Sequence, residues 1–145
     1  PVRLVEKMGE ADPERSGAVA TALGNFGGAC QIIDDLKDVA DDLFFRKHNL
    51  VVSEAFYGED DLERRRVVEA RRTSLSIEAA RQVAGQLTQA RDRCLGHARH
   101  RFALAEEEFS RRFPEFGMRE ALALGLLVNE SIMTGRSESQ YRGVP

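Results

Sequence analysis

Residues that could do chemistry crowd into one stretch of this chain, Gln31-Ile32-Ile33-Asp34-Asp35-Leu36-Lys37-Asp38-Val39-Ala40-Asp41-Asp42. Five aspartates fall within nine positions. Aspartate is a poor helix former. Like charges four apart, such as Asp34 and Asp38, destabilise a helix by about 0.2–0.5 kcal/mol per pair, and Lys37 alone does not offset them. Wound as a helix at roughly 100° per residue, the segment sorts into two faces. Phe26, Ala29, Cys30, Ile33 and Lys37 share a small, largely apolar one. Asp41, Asp34, Asp38, Gln31, Asp42 and Asp35 fill an adjacent arc about 120° wide.

Two readings of the acidic arc compete. A solvated helix surface is the ordinary meaning of a charge run, but such surfaces favour glutamate alternating with lysine or arginine. Here short side chains of one sign repeat. Asp34 and Asp38, one turn apart with Asp35 beside them, are the right donors for a hard divalent cation. Mg²⁺ takes oxygen ligands, keeps several waters, and is held by one or two carboxylates together with substrate phosphates.

The elements that must position these residues read as helical almost throughout, and no window alternates cleanly enough for a strand. A short helix is predicted over residues 2–8. A second begins with Asp12 as N-cap and Pro13 at the first helical position, and runs to about Asp42. Gly17, Gly24, Gly27 and Gly28 lie inside it, each costing up to about 1 kcal/mol against alanine. Close approach of a helix or ligand, or simple tolerance, explains them equally well. Helices are further predicted over residues 49–57, ending at Gly58, and from a cap at Asp60 or Asp61 through Arg72. After Thr73-Ser74, Ser76 caps a helix predicted over residues 77–112, with a stripe through Val83, Leu87, Ala90, Cys94, Ala98, Phe102, Ala105 and Phe109. Phe113-Pro114 and Gly117 form a turn, a last helix covers residues 118–134, and residues 137–145 read as a frayed tail. The fold class is all-α.

Composition bounds the function. The 145 residues are 42% apolar and 31% charged, with net charge −3. That argues against disorder, and gives no global basic field for nucleic acid or an anionic membrane. No apolar run approaches the ~20 residues of a membrane span, so no transmembrane segment is expected. Residues 1–10 do not read as a signal peptide. Cys30 and Cys94 are too few for a disulfide framework or a zinc site. A cytoplasmic protein with reduced thiols is the expectation.

In context, Gly27-Gly28-Ala29-Cys30-Gln31-Ile32-Ile33-Asp34-Asp35-Leu36-Lys37-Asp38 resembles the second aspartate-rich motif of the trans-isoprenyl diphosphate synthases, the polyprenyl synthetase family. The family pattern is roughly G-x-x-F-Q-x-x-D-D-x-x-D, matched at Gly27, Gln31, Asp34, Asp35 and Asp38, with Cys30 in place of the aromatic. Asp42-Leu43-Phe44-Phe45-Arg46-Lys47-His48-Asn49-Leu50-Val51-Val52 is similar to the family's D-L-x-x-G-K-x-T-L-P segment. Lys47 takes the lysine's place, while Arg46 replaces Gly, Asn49 replaces Thr and Val51 replaces Pro. Only residues 39–41 separate the two segments, as in divergent members such as the quorum-pheromone peptide prenyltransferases. The resemblance covers most of this chain but half of the family.

It implies the carboxy-terminal half of an isoprenoid-synthase-type helical bundle over residues 1–136. It also implies an Mg²⁺-dependent prenyltransferase that condenses an allylic diphosphate with isopentenyl diphosphate. Asp34 and Asp38 would ligate Mg²⁺, with Asp35 oriented by hydrogen bonds or acting through water. Gln31 would stand near the allylic cation or diphosphate, and Lys47 would meet the diphosphate as a point charge. Gly27 and Ala29 would back the prenyl cavity or pack on a helix.

The family's first aspartate motif, with its arginine pair, is not in these residues. A missing amino-terminal half, or a partner in a homodimer, is expected to supply it, and the chain alone is not expected to turn over. The alternatives are a non-catalytic helical partner subunit or degenerate relative, and a class I terpene cyclase or peptide prenyltransferase relative. The N-S-E-type triad of the cyclases is not seen. Glu59-Asp60-Asp61 reads as a helix cap. Arg64-Arg65-Arg66 reads as a solvated helix face in preference to a diphosphate grip, and His97, His100 and Arg101 as surface residues.

Overall fold

The computed structural model describes residues 13–112, and among them the chain is all-α, without a strand. Five helices follow in order: α1 (Pro13–Phe44), α2 (Leu50–Tyr57), α3 (Asp61–Arg72), α4 (Ile77–Gly85) and α5 (Thr88–Arg112). The helices expected over 2–8 and 118–134, the Asp12 cap, the turn at 113–117 and the tail at 137–145 lie outside the described residues.

Short polar side chains start the inner helices as their types dictate. Asn49 accepts from the backbone N–H groups of Val51 and Val52, Asp60 from that of Glu63, and Ser76 from that of Ala79. The 32-residue α1 ends in a paired turn: Arg46 N–H donates to Leu43 O at 3.3 Å and Lys47 N–H to Asp42 O at 2.9 Å. This is the Schellman arrangement, in which the residue just past the helix turns left-handed. Arg46 does so, with φ 57°.

The chain divides into two compact units, Cys30–Ala98 and the flanks Pro1–Ala29 with Arg99–Pro145. The first has a core of Leu36, Val39 and Leu43 from α1, Val51 and Val52 from α2, Val67 from α3, and Leu87 and Cys94 near and within α5. Within it α2 packs on α3 and α3 on α4. In the second, the described core is built mostly from small residues: Ala18, Ala22, Ala29 and Ala105 are buried with Phe102. Phe26 meets Phe102 edge to face, centroids 5.5 Å apart.

The helix expected over 77–112 is in fact two. Gln86 and Leu87, just past Gly85, break it, and a side chain from elsewhere caps the helix that follows. Glu63, 2% exposed, accepts the N–H groups of Gln89 at 2.7 Å and Ala90 at 3.0 Å. A carboxylate there satisfies two of the unpaired donors at the start of α5 and complements its dipole. The apolar stripe is continuous across the break, which is why periodicity alone joined the two.

In the glycine-rich stretch of α1, the described residues show a close approach at one position. A Cβ at Gly17, Gly24 or Gly27 would meet no described atom within 4 Å. Only Gly28 is closely approached: a Cβ there would stand 2.7 Å from Arg101 Nη1.

Candidate carboxylate site on the first helix

The buried face of α1 is rotated from the one expected. Ala29 and Ile33 of the expected face are buried, but with them Ile32, Leu36, Val39 and Leu43, whereas Phe26 is 39% exposed and Lys37 lies outside the core. The aspartates are therefore not one uniform wall. Asp35 and Asp42 border the buried face and are half-buried; Asp34, Asp38 and Asp41 stand in solvent.

That rotation decides what each carboxylate does. Asp35 Oδ2 accepts the backbone N–H of Leu50 at 2.8 Å, and its Oδ1 accepts Gln31 Nε2 at 3.2 Å. Asn49, 1% exposed, donates through Nδ2 to Asp35 O at 2.7 Å and to Asp42 Oδ2 at 3.0 Å. Its Oδ1 accepts from Val51 N at 2.9 Å and Val52 N at 3.3 Å. Both donors and both acceptor positions of the amide are thereby used, as burial requires. Asp35, Asp42 and Asn49 form one polar joint between the end of α1 and the start of α2.

The other carboxylates are open. Asp34 lies 3.8 Å from Lys37 Nζ, a loose exposed ion pair worth little. Asp38 pairs with no described residue. Asp34 also pushes the Cys30 thiol up, second to burial, against the lowering effect of Lys37. Among the described residues no three His, Cys, Asp or Glu side chains converge into a metal cage. The donor set fits a cation that keeps its waters and takes two carboxylates from one helix face, the rest of its shell coming from a phosphate ligand. It does not fit a cation held by protein alone.

Of the expected site residues, Gln31 and Asp35 are brought into direct contact, with Asp34 and Asp38 on the same helix. Lys47 is apart. It is exposed beyond the end of α1, its ammonium 5.4 Å from the Phe45 ring centroid, and its carbonyl accepts Arg71 Nη2 at 2.8 Å. Phe44 itself is about 9 Å of helix rise beyond Asp38. Two residues central to this geometry are not among the expected site residues: Glu63, and Asn49, noted from the sequence only as standing where the family has Thr. An asparagine directly before Leu50-Val51-Val52 was a legible N-cap signal. No local pattern could aim Glu63 at a helix 25 residues later.

The arginine triplet is also corrected. Arg65 is solvated, but Arg64 donates to Phe56 O at 3.1 Å and to Gly58 O at 2.5 Å, and Arg66 donates to Gln86 O at 3.1 Å. They tie off carbonyls at the ends of α2 and α4, a use suited to the guanidinium fork.

Compared with family models, with curated proteins and with solved structures, the chain gives no match. No helix among the described residues is long and apolar enough to cross a membrane.

Proposed function

We propose that this chain carries the second aspartate-rich wall of an Mg²⁺-dependent prenyltransferase of the polyprenyl synthetase type, acting on an allylic diphosphate and isopentenyl diphosphate. The observation that carries the reading is how the local backbone treats two of the four positions where the sequence departs from the family pattern, Arg46 and Asn49; nothing in the structure bears on Cys30 or Val51 in this way. Where the family has Gly, Arg46 adopts φ 57°, a conformation that favours glycine. Where the family has Thr, Asn49 caps α2, a role threonine also fills. The substitutions keep the turn and cap that the pattern's residue types suit, in register with Gln31, Asp34, Asp35 and Asp38.

On this reading Asp34 and Asp38 hold Mg²⁺, which when bound offsets the charge developing on a departing diphosphate. Asp35 is a positioning residue: its carboxylate fixes the Gln31 amide and the start of α2. With Gln31 Nε2 spent on Asp35, Gln31 Oε1 remains as an acceptor whose dipole suits an allylic cation. Lys47, apart from the aspartates beyond the end of α1, takes no part in holding the diphosphate on this reading. The first aspartate motif and the isopentenyl diphosphate grip come from outside these residues, from an amino-terminal half or a second subunit.

Calorimetric titration of the chain with geranyl diphosphate, with and without Mg²⁺, tests the reading. Mg²⁺-dependent binding should fall at least tenfold in Asp34→Asn/Asp38→Asn, while the helical circular dichroism stays unchanged. Binding indifferent to Mg²⁺ or to both substitutions would overturn it, as would full condensation activity of an intact synthase carrying them.

A further inference from the structure

The net charge of −3 gives no global attraction to anions, yet the fold gathers a local one. Two segments some 25 residues apart are clasped at one end of the Cys30–Ala98 unit. Arg46 Nη2 donates to Thr73 O at 3.2 Å, and Arg71 Nη2 donates to Lys47 O at 2.8 Å. Each arginine ties off a carbonyl in the other segment's turn. The clasp sets Arg46, Lys47 and His48 beside Arg71 and Arg72, all exposed except the half-buried Arg71. One hydrogen bond each leaves the remaining donors and the full charge of Arg46 and Arg71 available.

Two aromatic rings stand at this end as well. Phe44 is 39% and Phe45 61% exposed, and they meet edge to face with centroids 4.9 Å apart. Asp41 and Glu69 lie one turn back on α1 and α3, about 6 Å of helix rise behind the tip. Cations and rings are foremost; carboxylates stand behind.

We infer that this tip docks on an anionic lipid bilayer, Phe44 and Phe45 entering the interface while Arg46, Lys47, Arg71 and Arg72 meet lipid phosphates. Apolar burial combined with basic charge is what interfacial binding requires. Single-stranded nucleic acid is the other polyanion that uses rings and cations, but it needs a free ring face for stacking. Here the two rings stand 76° apart and the Lys47 ammonium lies over Phe45, so they present no parallel faces on which successive bases could stack. Insertion needs only the apolar bulk of the rings, with the lysine reaching back to the headgroups. The inference does not depend on prenyl transfer.

Co-sedimentation of the full chain with vesicles tests it. Vesicles of three parts phosphatidylcholine to one part phosphatidylserine should retain the protein, and pure phosphatidylcholine should not. Raising the salt should release it. Arg46→Gln/Arg72→Gln removes two charges and should weaken partitioning roughly 30-fold, at about a factor of five per charge. Phe44→Ser/Phe45→Ser should weaken it with the charge intact. Circular dichroism checks folding, and Arg72→Gln alone, outside every described hydrogen bond, keeps the charge arm decisive if the Arg46 change unfolds the chain. Equal binding to both vesicle types, no binding to either, or retention of a single-stranded oligonucleotide in place of vesicles would overturn the inference.

Discussion

Asp35 holds the backbone N–H of Leu50 at 2.8 Å across the joint between α1 and α2, while its neighbour Asp34 faces solvent. Adjacent carboxylates in one motif thus serve opposite ends, one structural and one open to a ligand. Asp35→Ala should lower unfolding free energy by about 1.5–3 kcal/mol, the range for a hydrogen bond to a charged group. Asp34→Asn and Asp38→Asn should leave stability within about 0.5 kcal/mol or raise it, by relieving like-charge repulsion. Urea denaturation of the three variants checks the split, and equal losses at Asp34 and Asp35 would contradict it.

Asn49 is the buried centre of the same joint, so its removal should cost more than an ordinary cap. Asn49→Ala loses the cap and leaves Asp35 O and Asp42 without their amide donor, for about 2–4 kcal/mol in all. Asn49→Thr keeps a capping oxygen and loses only the amide donations, and should fall between wild type and alanine. Thermal melts give the order; a threonine variant no better than alanine would mean the cap contributes little.

Arg46 sits at φ 57°, where a β-carbon is strained and glycine is not. Both Arg46→Gly and Arg46→Ala lose the bond to Thr73 O, so comparing them isolates the backbone. Glycine should exceed alanine in stability by about 1 kcal/mol. Parity in denaturation midpoint would show that the turn relaxes.

Burial pushes the Cys94 thiol up from 9.0 to about 11, the Glu54 charge adding to the effect. Its pKa is higher folded than unfolded, so the neutral thiol's contribution is fully present below pH 9 and is lost as pH rises towards 11. The loss amounts to about 2–3 kcal/mol. Unfolding free energy should decline over that window in wild type and decline less in Cys94→Ala. At pH 8 a thiol reagent should modify the partly exposed Cys30 first and Cys94 only on unfolding.

Several features were legible in residue types and spacing alone. Helix caps at Asp60 and Ser76, the stop after Tyr57 and the break at Thr73-Ser74 follow from capping and turn chemistry that acts within four residues. The all-α class follows from apolar spacing, and the acidic arc of α1 from the 3.6-residue repeat. Tertiary packing decided the rest, because it selects among faces that a helical wheel leaves equivalent. Burying Leu36 and Val39 turned Asp35 and Asp42 towards Asn49 and left Asp34 and Asp38 in solvent. Glu63 capped the start of α5 because N–H groups distant in the chain came within its reach. Arg46 and Arg71 found each other's turns in the same way. Local interactions are written in neighbouring residues; which distant group a side chain meets is settled only when the core closes.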